Sequence, residues 1–90
     1  MRPNVTIYTK DYCPHCKAAK ALLTSKGVVF TNHEISNAPD RRLEMITRSG
    51  GRSTVPQIFI GDVHVGGNSD LSALNSAGKL DALLRAGKGG

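Results

Sequence analysis

Val5-Thr6-Ile7-Tyr8-Thr9-Lys10-Asp11-Tyr12-Cys13-Pro14-His15-Cys16-Lys17 is the stretch that decides how the rest of the chain is read. The run from Asn4 to Thr9 is rich in β-branched and aromatic residues and predicts a strand. Lys10-Asp11-Tyr12 forms a short loop, and Pro14 falls in the first turn of a helix, where its missing N–H is tolerated. Cys16, Ala19, Leu22 and Leu23 then recur at three- and four-residue spacing. Lys17, Lys20 and Lys26 fall on other faces, and Gly27 stops the helix. The two cysteines thus lie one helical turn apart at a strand-to-helix junction. Thiols so placed can close an intramolecular disulfide and reopen it.

The same spacing makes the two sulfurs unequal. Cys13 sits at or just before the helix start, facing unpaired backbone N–H groups and the positive end of the helix dipole. Lys10 and Lys17 add positive potential, and all of these favour thiolate, the form that attacks a disulfide. Cys16 lies further in and is placed to resolve a mixed disulfide on Cys13. As a structural staple the pair would enclose almost no chain and gain little.

Outward from this stretch, Val28 to Ile35 predicts a second strand. Ser36-Asn37-Ala38-Pro39-Asp40 has turn and capping character, and a helix follows from Arg41 to Ser49 with Leu43, Met45 and Ile46 apolar. Gly50-Gly51 ends it. Val55–Ile60 and Asp62–Val65 read as two strands around a Gly61-Asp62 turn. Ser69 or Asp70 caps a last helical region carrying Leu71, Leu74, Leu80, Leu83 and Leu84, interrupted at Gly78. The expected order is β-α-β-α-β-β-α. A right-handed crossover makes the first two strands parallel, the last two form an antiparallel hairpin, and helices cover both faces of the mixed sheet.

Two further segments bear on chemistry. Pro56 forces Val55 into an extended conformation. Gly66-Gly67-Asn68-Ser69-Asp70 allows close backbone approach and offers helix N-terminal amides to a carboxylate.

The totals narrow the field. Ninety residues make one domain, with a core expected over residues 4–86 and a flexible tail at 87–90. Hydrophobic residues are 39% of the chain, without Trp and with two Phe, so the core is mostly aliphatic. A single close cysteine pair fits a redox role in a reducing compartment better than a secreted, disulfide-stapled scaffold. Met1-Arg2-Pro3-Asn4 leads straight into a strand, with no apolar signal region ahead of it and no membrane-length segment anywhere. The expected location is cytoplasmic, with no membrane partner. Net charge is +5, but the basic residues are dispersed and no aromatics interleave with them, which argues against nucleic acid and for small anionic thiols or acidic proteins. His33 and His64 have no companion at metal-ligand spacing, so no metal site is expected.

The chain resembles a dithiol glutaredoxin of the small bacterial type, a member of the thioredoxin-fold superfamily, over nearly its whole length from Val5 to Leu84. The resemblance rests on Tyr8-Thr9-Lys10 before Cys13-Pro14-His15-Cys16, on Thr54-Val55-Pro56-Gln57-Ile58-Phe59-Ile60, and on Gly66-Gly67 followed by Asp70-Leu71. It implies a four-stranded α/β thioredoxin-like fold and a glutathione-dependent reductant of protein disulfides and glutathione mixed disulfides. Cys13 would be the nucleophile and Cys16 the resolving thiol. Glutathione would serve as reductant and co-substrate, with no obligatory metal. Lys10, Thr54, Val55, Pro56, Gly67, Asn68, Ser69 and Asp70 would hold it, across a cis Val55-Pro56 bond. Many members carry cysteine or threonine at the position of Asn68 and aspartate at that of Ser69, so one acid is missing here. Pro14 and His15 would modulate the site. His15 replaces the usual tyrosine, and its imidazole should favour the reduced form, setting a potential above the roughly −200 to −230 mV of glutaredoxins and below about −120 mV. The implied partners are disulfide-containing or glutathionylated proteins, ribonucleotide reductase among them, met by a monomer. Two readings compete: a module holding a glutathione-ligated [2Fe–2S] cluster through Cys13, and a thioredoxin-like reductant. The absence of Trp beside the motif and the glycine-rich anion site weigh against the latter.

Overall fold

The computed structural model describes residues 4–85. Four strands, β1 (Val5–Thr9), β2 (Thr31–Glu34), β3 (Gln57–Ile60) and β4 (Val63–Gly66), form one sheet in the order β2-β1-β3-β4. β1 and β2 run parallel, with Tyr8 opposite His33, and α1 (Pro14–Ser25) makes the crossover between them. β3 pairs antiparallel with both β1 and β4. The expected α/β architecture and strand directions hold.

Alternation along the strands divides the core. Val5, Ile7, Ile58 and Ile60 pack on one face against Ala19 and Leu23 of α1, Leu71 of α3 (Asn68–Ser76), and Leu80 and Leu84 of α4 (Leu80–Arg85). Tyr8 and Phe59 face the other way, under Met45 and Ile46 of α2 (Pro39–Arg48). Helices therefore cover both faces, as the patterning predicted. Each fully buried Leu or Ile contributes about 1.5–3 kcal/mol relative to its exposed state.

Several boundaries differ from the sequence reading, each for a physical reason. β2 begins at Thr31 rather than Val28: Val28 and Phe30 pack against the core, but Val29 is exposed and the three residues do not join the ladder. α2 starts at Pro39, because proline fits the first helical turn. β3 starts at Gln57, since Pro56 has no N–H to give the ladder. The last helical region is two helices, broken where Gly78 takes φ +74°. The proposed tail at 87–90 lies outside the described residues.

Candidate active site

Three chain segments meet at the C-terminal end of β1. The first is the α1 N-terminus. Cys13 is its N-cap residue, with φ −95° and ψ 106°, and Pro14 opens the helix. The Cys13 sulfur takes the role that a serine or aspartate oxygen takes in ordinary caps, accepting the Cys16 N–H at 3.1 Å. Its own S–H points toward the Val55 carbonyl at 3.9 Å. Both cysteines are free thiols, Cys13 half-buried and Cys16 only 1% exposed.

This geometry separates the two sulfurs chemically. Burial, and then the hydrogen bond with Cys13, pushes the Cys16 thiol up to about 11, against a smaller opposing pull from the Lys10 backbone. A buried thiol of that kind is a weak nucleophile at neutral pH. Cys13, by contrast, is only half-buried and accepts a backbone N–H of the first helical turn. Lys20, half-buried on α1, exerts a small opposing electrostatic pull on Cys16.

The second segment is Thr54-Val55-Pro56. The Val55-Pro56 peptide is cis, as the resemblance implied, and Pro56 is buried. The Val55 carbonyl faces Cys13, and among the described residues the Val55 N–H has no hydrogen-bond partner.

The third is the turn into α3. Gly67, not Ser69 or Asp70, is the N-cap residue, and Asp70 caps from inside the helix by accepting the Gly67 N–H at 2.9 Å. Gly66 makes this possible. It sits at φ +113°, and a Cβ there would lie 2.3 Å from Asp70 Oδ2.

Together these segments wall an open groove of about 320 Å³ lined by His15, Arg52, Thr54, Val55, Pro56, Gly67, Asn68, Ser69 and Asp70. All but one of the sequence-predicted binding residues are there. The exception is Lys10, which is exposed just after β1 and outside the lining. Arg52 is the residue the sequence reading left out. The loop Ser49-Gly50-Gly51-Arg52-Ser53 gave no periodicity from which to place it. Its position follows from Ser49, whose hydroxyl accepts the Arg52 N–H at 3.1 Å and donates to the Arg52 carbonyl at 3.0 Å. Arg48, nearby in sequence, is committed elsewhere: it donates to Tyr8 Oη at 2.9 Å and lies 4.3 Å over the Phe59 ring. His33 and His64 sit on β2 and β4. Among the described residues no group of three or more His, Cys, Asp or Glu is arranged to hold a metal ion. A larger cavity of about 450 Å³ runs between β4, α3 and α4, but its lining includes neither Val55, which faces Cys13, nor Pro56.

A nucleophilic sulfur capping a helix, a buried partner thiol one turn along, and a cis proline opposite define a thiol–disulfide oxidoreductase of the thioredoxin-like class. The family model "Glutaredoxin" matches residues 5–65, more than half of the chain. Glutaredoxin 3 of Escherichia coli (strain K12) is 57% identical over 82 residues, covering 91% of this chain and 98% of that protein. The solution structure of glutaredoxin from Brucella melitensis superposes with a TM-score of 0.82 at 55% identity, covering 97% of this chain and 94% of that one. A buckwheat glutaredoxin–glutathione complex gives a TM-score of 0.83 at 27% identity, over 94% and 78% of the two chains. The chain belongs to the glutaredoxin family and is a glutathione-dependent thiol–disulfide oxidoreductase.

Proposed function

We propose that Cys13 attacks the disulfide of a glutathionylated or disulfide-containing protein, and that the groove beside it holds the glutathione moiety. The observation that carries this reading is the Cys16 N–H donated to the Cys13 sulfur at 3.1 Å, with that sulfur 3.9 Å from the carbonyl of Val55, a residue of the groove wall. A bond from an N–H is stronger to a thiolate than to a thiol, so it stabilises the reactive form and the leaving form alike.

With a glutathionylated protein, the Cys13 thiolate forms a bond to the glutathione sulfur while the protein sulfur departs as thiolate and takes up a proton. A second glutathione thiolate then attacks the glutathione sulfur on Cys13. Oxidised glutathione leaves and the Cys13 thiolate is regenerated. With a protein disulfide, Cys13 forms a mixed disulfide with one substrate sulfur while the other departs as thiolate and takes up a proton. Cys16 then loses its proton and attacks the Cys13 sulfur, closing the Cys13–Cys16 disulfide as the remaining substrate sulfur leaves as thiolate and is protonated. Two glutathiones reopen it and are oxidised together.

In the groove, the α3 N-terminal amides at Asn68 and Ser69 receive the γ-glutamyl carboxylate. Asp70, whose second oxygen is free of the cap, pairs with the ammonium. The Val55 N–H and C=O pair with the cysteinyl backbone by strand-like addition. Arg52, with Lys10 at the approach to Cys13, meets the glycine carboxylate. Pro14 holds the helix start and His15 tunes the sulfur. The buckwheat complex supports glutathione as the ligand. The reading takes residues 1–90 as one domain working as a cytoplasmic monomer, with ribonucleotide reductase among its protein substrates.

The test is turnover of a glutathione mixed disulfide coupled to glutathione reductase. Cys13→Ser should abolish it, while Cys16→Ser should retain much of it. Activity surviving Cys13→Ser would overturn the assignment.

A further inference from the structure

The Thr54-Val55-Pro56 wall precedes β3 and belongs to no regular element, so something else must fix it. Gln57, the first residue of β3, points to the opposite face of the sheet from Ile58 and is fully buried. Its amide nitrogen donates to the Thr54 carbonyl at 3.0 Å and reaches Thr54 Oγ1 at 3.1 Å. Its amide oxygen lies 2.6 Å from His64 Nε2 on β4. The His64 ring is in turn stacked on Phe59, with centroids 4.9 Å apart and planes at 27°.

The direction of every bond in this chain is determined. A carbonyl only accepts, so the Gln57 NH2 must face Thr54 and its oxygen must face His64. His64 Nε2 therefore carries the proton and donates. A buried amide with both ends engaged in this way is a brace running from β4 to the wall of the groove.

We infer that Gln57 and His64 are positioning residues for recognition of the glutathionyl or cysteinyl substrate, acting through Thr54 to hold the Thr54–Pro56 backbone in register with Cys13. Neither lines the groove. The inference rests on the reading that this groove binds the substrate. Losing the brace leaves Cys13 and its cap bond in place but loosens the segment that aligns the substrate. The loss should therefore appear in KM rather than in kcat.

The test compares Gln57→Ala, His64→Ala and His64→Gln on a glutathione mixed disulfide, alongside the alkylation rate of Cys13. Gln57→Ala and His64→Ala should raise KM roughly tenfold, about the effect of one lost hydrogen bond, with kcat and alkylation nearly unchanged. His64→Gln restores a donor toward Gln57 and should recover most of the loss. Nitrogen-15 NMR of the unsubstituted protein should find His64 as the Nε2–H tautomer at neutral pH. An unchanged KM in His64→Ala, no recovery in His64→Gln, or an Nδ1–H tautomer would each overturn the brace. Should Gln57→Ala fail to fold, the His64 pair and the tautomer still decide it. Arg52→Ala keeps the two readings apart. A raised KM there with an unchanged KM in His64→Ala retains the groove and removes the brace. An unchanged KM in Arg52→Ala itself contradicts the role given to Arg52 in the groove.

Discussion

At the residue scale, chemistry is set by which atoms the helix start and the groove present to one another. His15 is the second residue of α1, exposed, and part of the groove wall. We propose that this imidazole, close in sequence to Cys13, favours the reduced protein more than a phenol would. His15→Tyr should make the protein more reducing, by on the order of 30 mV, as read by equilibration with glutathione redox buffers. An equal or more oxidising potential would remove His15 from the site's tuning. The placement of Cys13 and Cys16 at the start of α1 was legible in the sequence from their spacing and from Pro14. The cis Val55-Pro56 bond was reached through the family resemblance, because proline admits both isomers. Arg52 was not, because its place depends on hydrogen bonds to the Ser49 side chain rather than on any local pattern. Ser69 or Asp70 read as the N-cap of α3, but Gly67 holds that position and Asp70 accepts its N–H from inside the helix. The positive φ and missing side chain of Gly66, where a Cβ would lie 2.3 Å from Asp70 Oδ2, leave room for that contact.

At the scale of elements, α2 shows how periodicity and topology divide the labour. Leu43, Met45 and Ile46 all looked apolar in sequence, yet Met45 is fully buried beneath the helix while Leu43 is 60% exposed. Met45→Ala should cost about 2–5 kcal/mol in denaturant unfolding, since it opens a cavity against Tyr8 and Phe59. Leu43→Ala should change stability by less than about 0.5 kcal/mol. Comparable losses in the two variants would mean that α2 is rotated relative to the sheet. The parallel β1–β2 pair, the β3–β4 hairpin and the two-faced cover were legible because a strand–helix–strand crossover and a tight turn each allow one pairing direction. The placement of β3 beside β1 was not, because it joins segments about fifty residues apart through no local signal. The start of β2 was not: apolar Val28 and Phe30 read as strand, but they fill the core from an unpaired approach to the sheet.

For the whole molecule, several ionisable groups are held in their neutral forms, and this bounds stability from both sides. Burial foremost lowers both His33 and His64 from 6.5, with Arg41 the next cause at His33 and Arg52 at His64. Below pH 6.5 the unfolded chain gains protons that the folded one resists, so stability present above that pH is lost as the pH falls. At the alkaline end the reduced protein keeps the Cys16 proton to about 11, whereas an unperturbed thiol loses it at 9.0. Stability present below pH 9 should therefore decline as the pH rises toward 11. Tyr8, raised from 10.0 chiefly by burial, adds a loss of the same sign. Melting temperature against pH checks both limbs. His33→Gln combined with His64→Gln should flatten the acid limb, and closing the Cys13–Cys16 disulfide should soften the alkaline one. An alkaline limb identical in the reduced and disulfide forms would contradict the assignment to Cys16. The most direct test of the division between the two sulfurs is mass-spectrometric mapping of limited iodoacetamide alkylation of the reduced, folded protein at pH 8. A thiol near 11 is ionised there to roughly one part in a thousand, so Cys13 should be modified at least about tenfold faster than Cys16. Equal labelling of the two, or faster labelling of Cys16, would contradict Cys13 as the attacking sulfur.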